Sequence, residues 1–164
     1  MSEQTINEQT KSIIKLGKSI QVRLVSDLQA SQIYYRDCLG FTIDNWGHAE
    51  RDEVCFILQQ AVSDQDVKPN AVSAKRSSYP SEWQGPEDGW DTYIHMAWDE
   101  FDEYVEEVRA CGGHIGIEPF MDEHGGWQFK NAHILDPDQY NIVLGAMRRV
   151  EQIWTETGGQ TDEL

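Results

Sequence analysis

Basic residues are scarce in this sequence: 13 Lys and Arg stand against 29 Asp and Glu, a formal net charge of −16 over 164 residues. A surface this acidic repels phosphate backbones and anionic leaflets, so neither nucleic acid nor a membrane is an expected partner. A cationic ligand would be drawn in, although the same charge also serves solubility alone. Long apolar runs are missing too: none approaches the ~20 residues that cross a bilayer. The opening MSEQTINEQTKSIIK has neither a basic n-region nor an apolar h-region. The expected location is therefore cytoplasmic. Cysteine is sparse, and Cys38, Cys55 and Cys111 make an odd number without a CxxC spacing. That argues against a disulfide framework or a thiolate zinc site, and all three are expected as small buried hydrophobes in a reducing compartment. No HxH or HExxH spacing occurs either, so the metal signal is weak.

What is present is a globular composition, 39% hydrophobic with six Trp, six Tyr and five Phe. A chain of this size buries roughly 70% of its unfolded surface. It also contains an internal repeat. IQVRLVSDLQASQIYYRDCLGFTI, from Ile20, aligns without a gap with YIHMAWDEFDEYVEEVRACGGHIG, from Tyr93. Arg36 then matches Arg109, Cys38 matches Cys111 and Gly40 matches Gly113, each at an offset of 73. Self-similarity of this kind means one folding unit used twice.

Each copy opens on a short alternating strand; in the second, Ile94, Met96 and Trp98 point one way and Tyr93, His95 and Ala97 the other. A capping oxygen follows, Ser26 or Asp27 in the first copy and Asp99 in the second, ahead of a helical pattern. Phe101, Tyr104, Val105, Val108 and Cys111 recur at helical spacing, and Gly40 and Gly113 supply left-handed ends. Short strands come next: FTIDNWG and EVCFILQQ in the first copy; HIGIEPF, WQFKNAHIL and YNIVLGAM in the second. The expected organisation is a flexible N-terminal segment (1–17), a first module (18–60), a polar linker (61–91) carrying Trp83 and Trp90, a second module (92–147) and a C-terminal tail (148–164). Within the second module HILDPDQYNIVLGAM reads as strand, turn, strand, the turn made by Asp136, Pro137 and Asp138. On the last strand Asn141, Val143 and Gly145 share one face and Ile142, Leu144 and Ala146 the other, and neither face offers a residue that grips a cation.

A strand ending in VSDL, the helix SQIYYRDCLGF, the second strand and helix AWDEFDEYVEEVRACGG and the closing DPDQYNIVL together resemble the vicinal oxygen chelate superfamily, which includes glyoxalase I, extradiol dioxygenases and the bleomycin-resistance proteins. The resemblance spans about residues 18–147. It implies an α+β fold of paired βαβββ modules forming an eight-stranded open cup. In the superfamily's enzymes four cup-facing His, Gln or Glu residues bind a divalent metal. Carried onto this sequence, those positions fall on Ile20, on Leu58 or Gln60, on Tyr93 and on Val143, where the enzymes place a Glu. Two of the four are aliphatic and none is a carboxylate, so the resemblance implies a cup that binds an organic ligand with no metal or other cofactor.

The residues that would hold such a ligand follow from face and type. His95 shares the predicted face of Tyr93, although a lone strand histidine is more often a hydrogen-bonded packing residue. His124, in the loop MDEHGGW, is expected to be exposed, and His133 faces either side. Trp46, Trp83, Trp90, Trp127 and Phe129 lie at strand ends or in the linker, outside the helical stripe, where a planar ligand stacks on them. Glu118, Asp122 and Glu123 beside Trp127 would place negative charge at one rim, and Asn141 completes the set. The expectation is a small-molecule binding protein akin to the metal-free bleomycin-resistance branch, sequestering a cationic or aromatic ligand as an antibiotic-resistance protein does; the resemblance also implies a homodimer. The alternative is an enzyme, a metal-dependent glyoxalase-like lyase or isomerase, or a dioxygenase, using Zn, Ni or Mn with His95, Tyr93 and Gln60. A third class is a scaffold protein with a vestigial cup.

Overall fold

A computed structural model describes residues 17–70 and 89–150, so Trp83 lies outside the described residues. The first module runs β1 (Gln21–Val25), α1 (Leu28–Asp37), β2 (Thr42–Ile43), β3 (His48–Arg51) and β4 (Val54–Gln60). The second runs β5 (Thr92–Met96), α2 (Phe101–Ala110), β6 (His114–His124), β7 (Trp127–Leu135) and β8 (Asn141–Arg149). Each is a βαβββ unit, and the chain is α+β as its repeat predicts.

Local chemistry explains where the helices begin and end. Asp27, in extended conformation, caps α1 by accepting the Ala30 N–H at 2.9 Å. Helix α2 departs from expectation. Its N-cap is Glu100 rather than Asp99, and the cap makes no side-chain hydrogen bond, because the turn in which the Glu100 N–H donates to the Ala97 carbonyl (3.2 Å) sets the start one residue later. Gly40 is left-handed at φ +72°, but after α2 that role falls to Gly112 at φ +84° and not to Gly113. Gly113 is small for another reason: a Cβ there would sit 2.3 Å from Cγ1 of Val108.

The strands fall into two four-stranded mixed sheets, ordered β1-β4-β3-β2 and β5-β8-β7-β6, one from each module. In each sheet the first strand runs parallel to the last of its module and the other neighbours are antiparallel. The predicted turn closes β7 onto β8, with Asp136 Oδ1 accepting the N–H groups of Asp138 and Tyr140, both at 2.9 Å. Asp122, Glu123 and His124 are not loop, since β6 continues through them to a hairpin tip at Gly125 and Gly126, both at positive φ. Strand β8 likewise runs on to Arg149, opposite Trp127. The extra length is paired backbone, which satisfies donors and acceptors a loop would leave to water.

One hydrophobic core joins both modules. Val25, Tyr35, Leu39, Phe41, Phe56 and Leu58 of the first merge with Phe101, Val105, Val108, Ile134, Ile142 and Leu144 of the second. Arg23, only 3% exposed, sits at their junction. Its guanidinium lies over the rings of Phe56 (4.3 Å) and Tyr140 (4.9 Å), donates to the hydroxyl oxygens of Tyr35 and Thr92, and is 3.7 Å from Asp136. Tyr35 in turn donates to Asp136 at 2.9 Å, and burial drives its own phenol well above the ordinary value. A buried charge is tolerable when its donors are satisfied in this way.

The cysteines do not behave as a set. Cys55 is buried as expected, whereas Cys38 is half-buried and Cys111 exposed. Both of the latter cap helix ends, where the chain turns at the surface.

Candidate functional site

Strand alternation decides what each sheet shows to the side away from its helix. Ile94 and Met96 pack on the core, so Tyr93 and His95 look outward from β5. Ile142, Leu144 and Ala146 are core on β8, which leaves Asn141, Val143, Gly145 and Met147 on the open face. On β7 Ala132 and Ile134 are core, and Trp127, Phe129 and His133 share the open face. The open face of the second sheet is thus aromatic and amide-bearing. That of the first is aliphatic: Ile20, Val22 and Leu24 are 44%, 58% and 37% exposed.

A cluster forms at one end of the second open face. Trp90, just before β5, stacks on Tyr93 with centroids 5.3 Å apart and planes at 22°. Its edge meets His133 at 6.2 Å, and Phe120 of β6 approaches the same imidazole at 6.5 Å. Asn141 Nδ2 lies 3.2 Å from His133 Nδ1 and donates to the Gly89 carbonyl at 3.2 Å. Asp91 accepts the Asn141 N–H at 2.7 Å, fixing the segment that carries Trp90 against β8. Gly145 makes the room: a Cβ there would fall 1.8 Å from the Tyr93 hydroxyl oxygen. Burial pushes the Tyr93 phenol up, so it is a neutral donor at physiological pH.

Two polar atoms in the cluster are unusual. Trp90 Nε1 and Asn141 Oδ1 are buried and have no hydrogen-bond partner among the described residues. An orphaned donor or acceptor of this kind costs about 1–3 kcal/mol, which a ligand group could recover. Aromatic walls with one free donor and one free acceptor suit a planar organic molecule carrying both.

Of the residues singled out from sequence, Trp90, Tyr93 and Asn141 come together here, with His95, Trp127 and Phe129 further along the same face. Trp46 and Glu118 do not join them. Trp46 is 85% exposed in the turn between β2 and β3 of the other sheet. Glu118 turns toward α2, where Arg109 holds it by two hydrogen bonds of 3.0 and 2.7 Å and keeps its carboxyl below the usual range. The irregular register of β6 between Ile115 and Phe120 brings Ile117 opposite His133 and leaves Glu118 on the helix side. His133 and Phe120 are additions. Counting alternation onward from Phe129 would have put His133 on this face, but a lone strand histidine is more often a packing residue and gave no independent sign.

A separate cleft of about 520 Å³ opens where the β3–β4 turn meets α2, lined by Arg51, Glu53, Met96, Glu103 and Tyr104 among others, and it does not include the Trp90 cluster.

The profile of the Glyoxalase/Bleomycin resistance protein/Dioxygenase superfamily matches residues 20–144. The chain belongs to this superfamily. Solved structures of similar fold include an integron cassette protein of V. cholerae (16% identity, TM-score 0.52, 82% of this chain and 98% of that one). Others are a glyoxalase/bleomycin resistance protein/dioxygenase of Alicyclobacillus acidocaldarius (10%, 0.54, 79% and 90%) and a fosfomycin resistance protein of Listeria monocytogenes (15%, 0.51, 81% and 94%). No curated protein sequence matches.

Superfamily enzymes hold a divalent metal, and the residues at the corresponding positions do not fit one. Val143 is aliphatic and fully buried, and Ile20 is aliphatic. Leu58 is not on the open face at all: it is 2% exposed in the helix-side core, as alternation with Phe56 requires. The Gln60 amide is committed to backbone, accepting from Leu28 N–H at 2.9 Å and donating to the Ser26 carbonyl at 2.6 Å. Among the described residues no group of three or more His, Cys, Asp or Glu side chains converges as metal ligands do.

Proposed function

We propose that this superfamily member is a small-molecule binding protein, resistance-like in action, which sequesters an aromatic, preferably cationic, ligand without a metal. The observation that carries the reading is the orphaned pair, Trp90 Nε1 and Asn141 Oδ1, set in an aromatic wall of Trp90, Tyr93, Phe120 and His133. A planar ligand would slide against Tyr93, give a hydrogen to Asn141 and accept one from Trp90. The net charge of −16 would concentrate cations near the protein, and Asp122, opposite Phe129, adds a carboxylate on β6. No bond is made or broken; protection follows from lowering free ligand by mass action. Both open faces carry exposed apolar residues, Val22 at 58% and Phe120 at 46% among them, and two copies of the chain pairing would cover them and close the cup.

The test is tryptophan fluorescence of chelator-treated protein titrated with bleomycin and with planar aromatic amines. Saturable quenching is expected, weakened by salt and at least tenfold weaker in Tyr93→Ala. Tight, stoichiometric uptake of Zn, Ni or Mn, with no response to any of the amines before metal is added, would overturn the reading and favour the metal-dependent lyase or dioxygenase.

A further inference from the structure

The internal repeat places two equivalent cysteines at equivalent points, and the fold then brings those points together. Cys38 caps the C-terminal end of α1 and Cys111 that of α2. Although 73 positions apart, they touch, with the Cys38 Sγ 3.2 Å from the Cys111 carbonyl oxygen. That oxygen is three bonds from the Cys111 Cβ, so a turn of the Cys111 side chain about χ1 is the movement that decides whether sulfur meets sulfur. Cys111 is exposed and free to make that turn, while Cys38 is half-buried between the helix ends.

The surroundings hold the two helix ends in place. Tyr34 of α1 reaches across to donate to the Leu135 carbonyl (2.9 Å) and accepts the His114 N–H (2.9 Å). In the other direction Tyr104 of α2 donates to the Leu39 carbonyl at 3.1 Å. A disulfide tolerates little distortion, and these contacts limit how far the two helix ends can separate. Cys55, buried in β4 of the first module, is not in this contact.

We propose that Cys38 and Cys111 form a reversible intramolecular disulfide that staples the two modules when a hydroperoxide is present. Cys111, the accessible thiol, attacks the peroxide oxygen as thiolate, giving a sulfenic acid and releasing water or an alcohol. Cys38 then attacks the sulfenic sulfur, and water leaves. Two thiols thus lose two electrons and two protons, one S–S bond forms, and the peroxide O–O bond is reduced. Burial raises the Cys38 thiol, so the step in which Cys38 closes the bridge is slow at neutral pH and faster as pH rises. The bridge would fix the arrangement of the two sheets, and it does not depend on which ligand, if any, the open face binds.

The experiment uses the full-length reduced protein treated with hydrogen peroxide, quenched by alkylation and digested for mass spectrometry. The expected product is a Cys38–Cys111 linked peptide, lost on adding dithiothreitol, with a melting temperature several degrees above that of the reduced protein. In Cys38→Ser the link disappears and Cys111 is trapped by dimedone as a sulfenic acid. A wild-type protein whose Cys111 proceeds to sulfenic or sulfinic acid with no linked peptide would overturn the proposal, as would a Cys111 disulfide between two chains. Neither result requires a variant to fold.

Discussion

Tyr93 and Gly145 show how one residue's lack of a side chain shapes the candidate site. Gly145 carries no Cβ because the Tyr93 hydroxyl occupies that space, and Tyr93 in turn supplies the face on which Trp90 stacks. Gly145→Ala should therefore push the ring away, lower stability by about 1–3 kcal/mol through overpacking, and change the near-ultraviolet circular dichroism of the Trp90–Tyr93 pair. If Tyr93 is the cause, the loss should largely vanish when Gly145→Ala is made in a Tyr93→Ala background. Equal losses in the two backgrounds would mean that the glycine is needed for some other reason. The sequence showed Gly145 on the right face but not why it was glycine, since the ring that fills the gap comes from a strand about fifty residues earlier, and a pairing of that range leaves no mark in local pattern.

At the scale of elements the repeat made most of the fold legible. Helical stripes and alternating strands recur in register, and β5 has the two faces its pattern predicts because Ile94 and Met96 pack on the shared core and Tyr93 and His95 do not. Strand β4 was harder to read, since VCFILQQ is apolar at nearly every position and its period does not say that Leu58 faces the helix. The helix starts were legible in one copy only. Asp27→Ala removes a real side-chain cap and should cost about 1 kcal/mol, lowering the midpoint of chemical unfolding. Asp99→Ala, at the matching place in the repeat, should cost a few tenths at most, because the α2 N-cap is Glu100 and no side chain caps it. Equal losses would show that the two copies begin their helices alike in solution. The candidate site was legible in part: residue type pointed to Trp90, Tyr93 and Asn141, while Glu118 was misplaced because the irregular register of β6 is invisible in its sequence.

At the scale of the whole molecule, the two modules are held by polar contacts as well as by their shared core, and one of these contacts titrates. Arg51, the last residue of β3, reaches α2 to bond Glu107 at 2.7 Å, donates to the Leu39 carbonyl at 2.9 Å and lies 4.6 Å over the Tyr104 ring. The hydrogen bond from Arg51 is the main reason the Glu107 carboxyl titrates below its ordinary value of 4.5. A carboxyl lowered on folding stabilises the fold above its unfolded pKa and loses that contribution as pH falls through the folded one. With the Glu107 side chain 43% exposed, solvent screening limits the effect to no more than about 1 kcal/mol. Acid also relieves the repulsion of a chain carrying −16, which acts in the opposite direction, but that relief is nearly the same for Glu107→Gln and cancels in the difference. The melting temperature of the wild type should exceed that of Glu107→Gln at pH 7, and the gap should close as pH drops through the ordinary carboxylate range and below. A gap that stayed constant with pH would mean that the side chain contributes by packing and that its charge does not help hold the modules together.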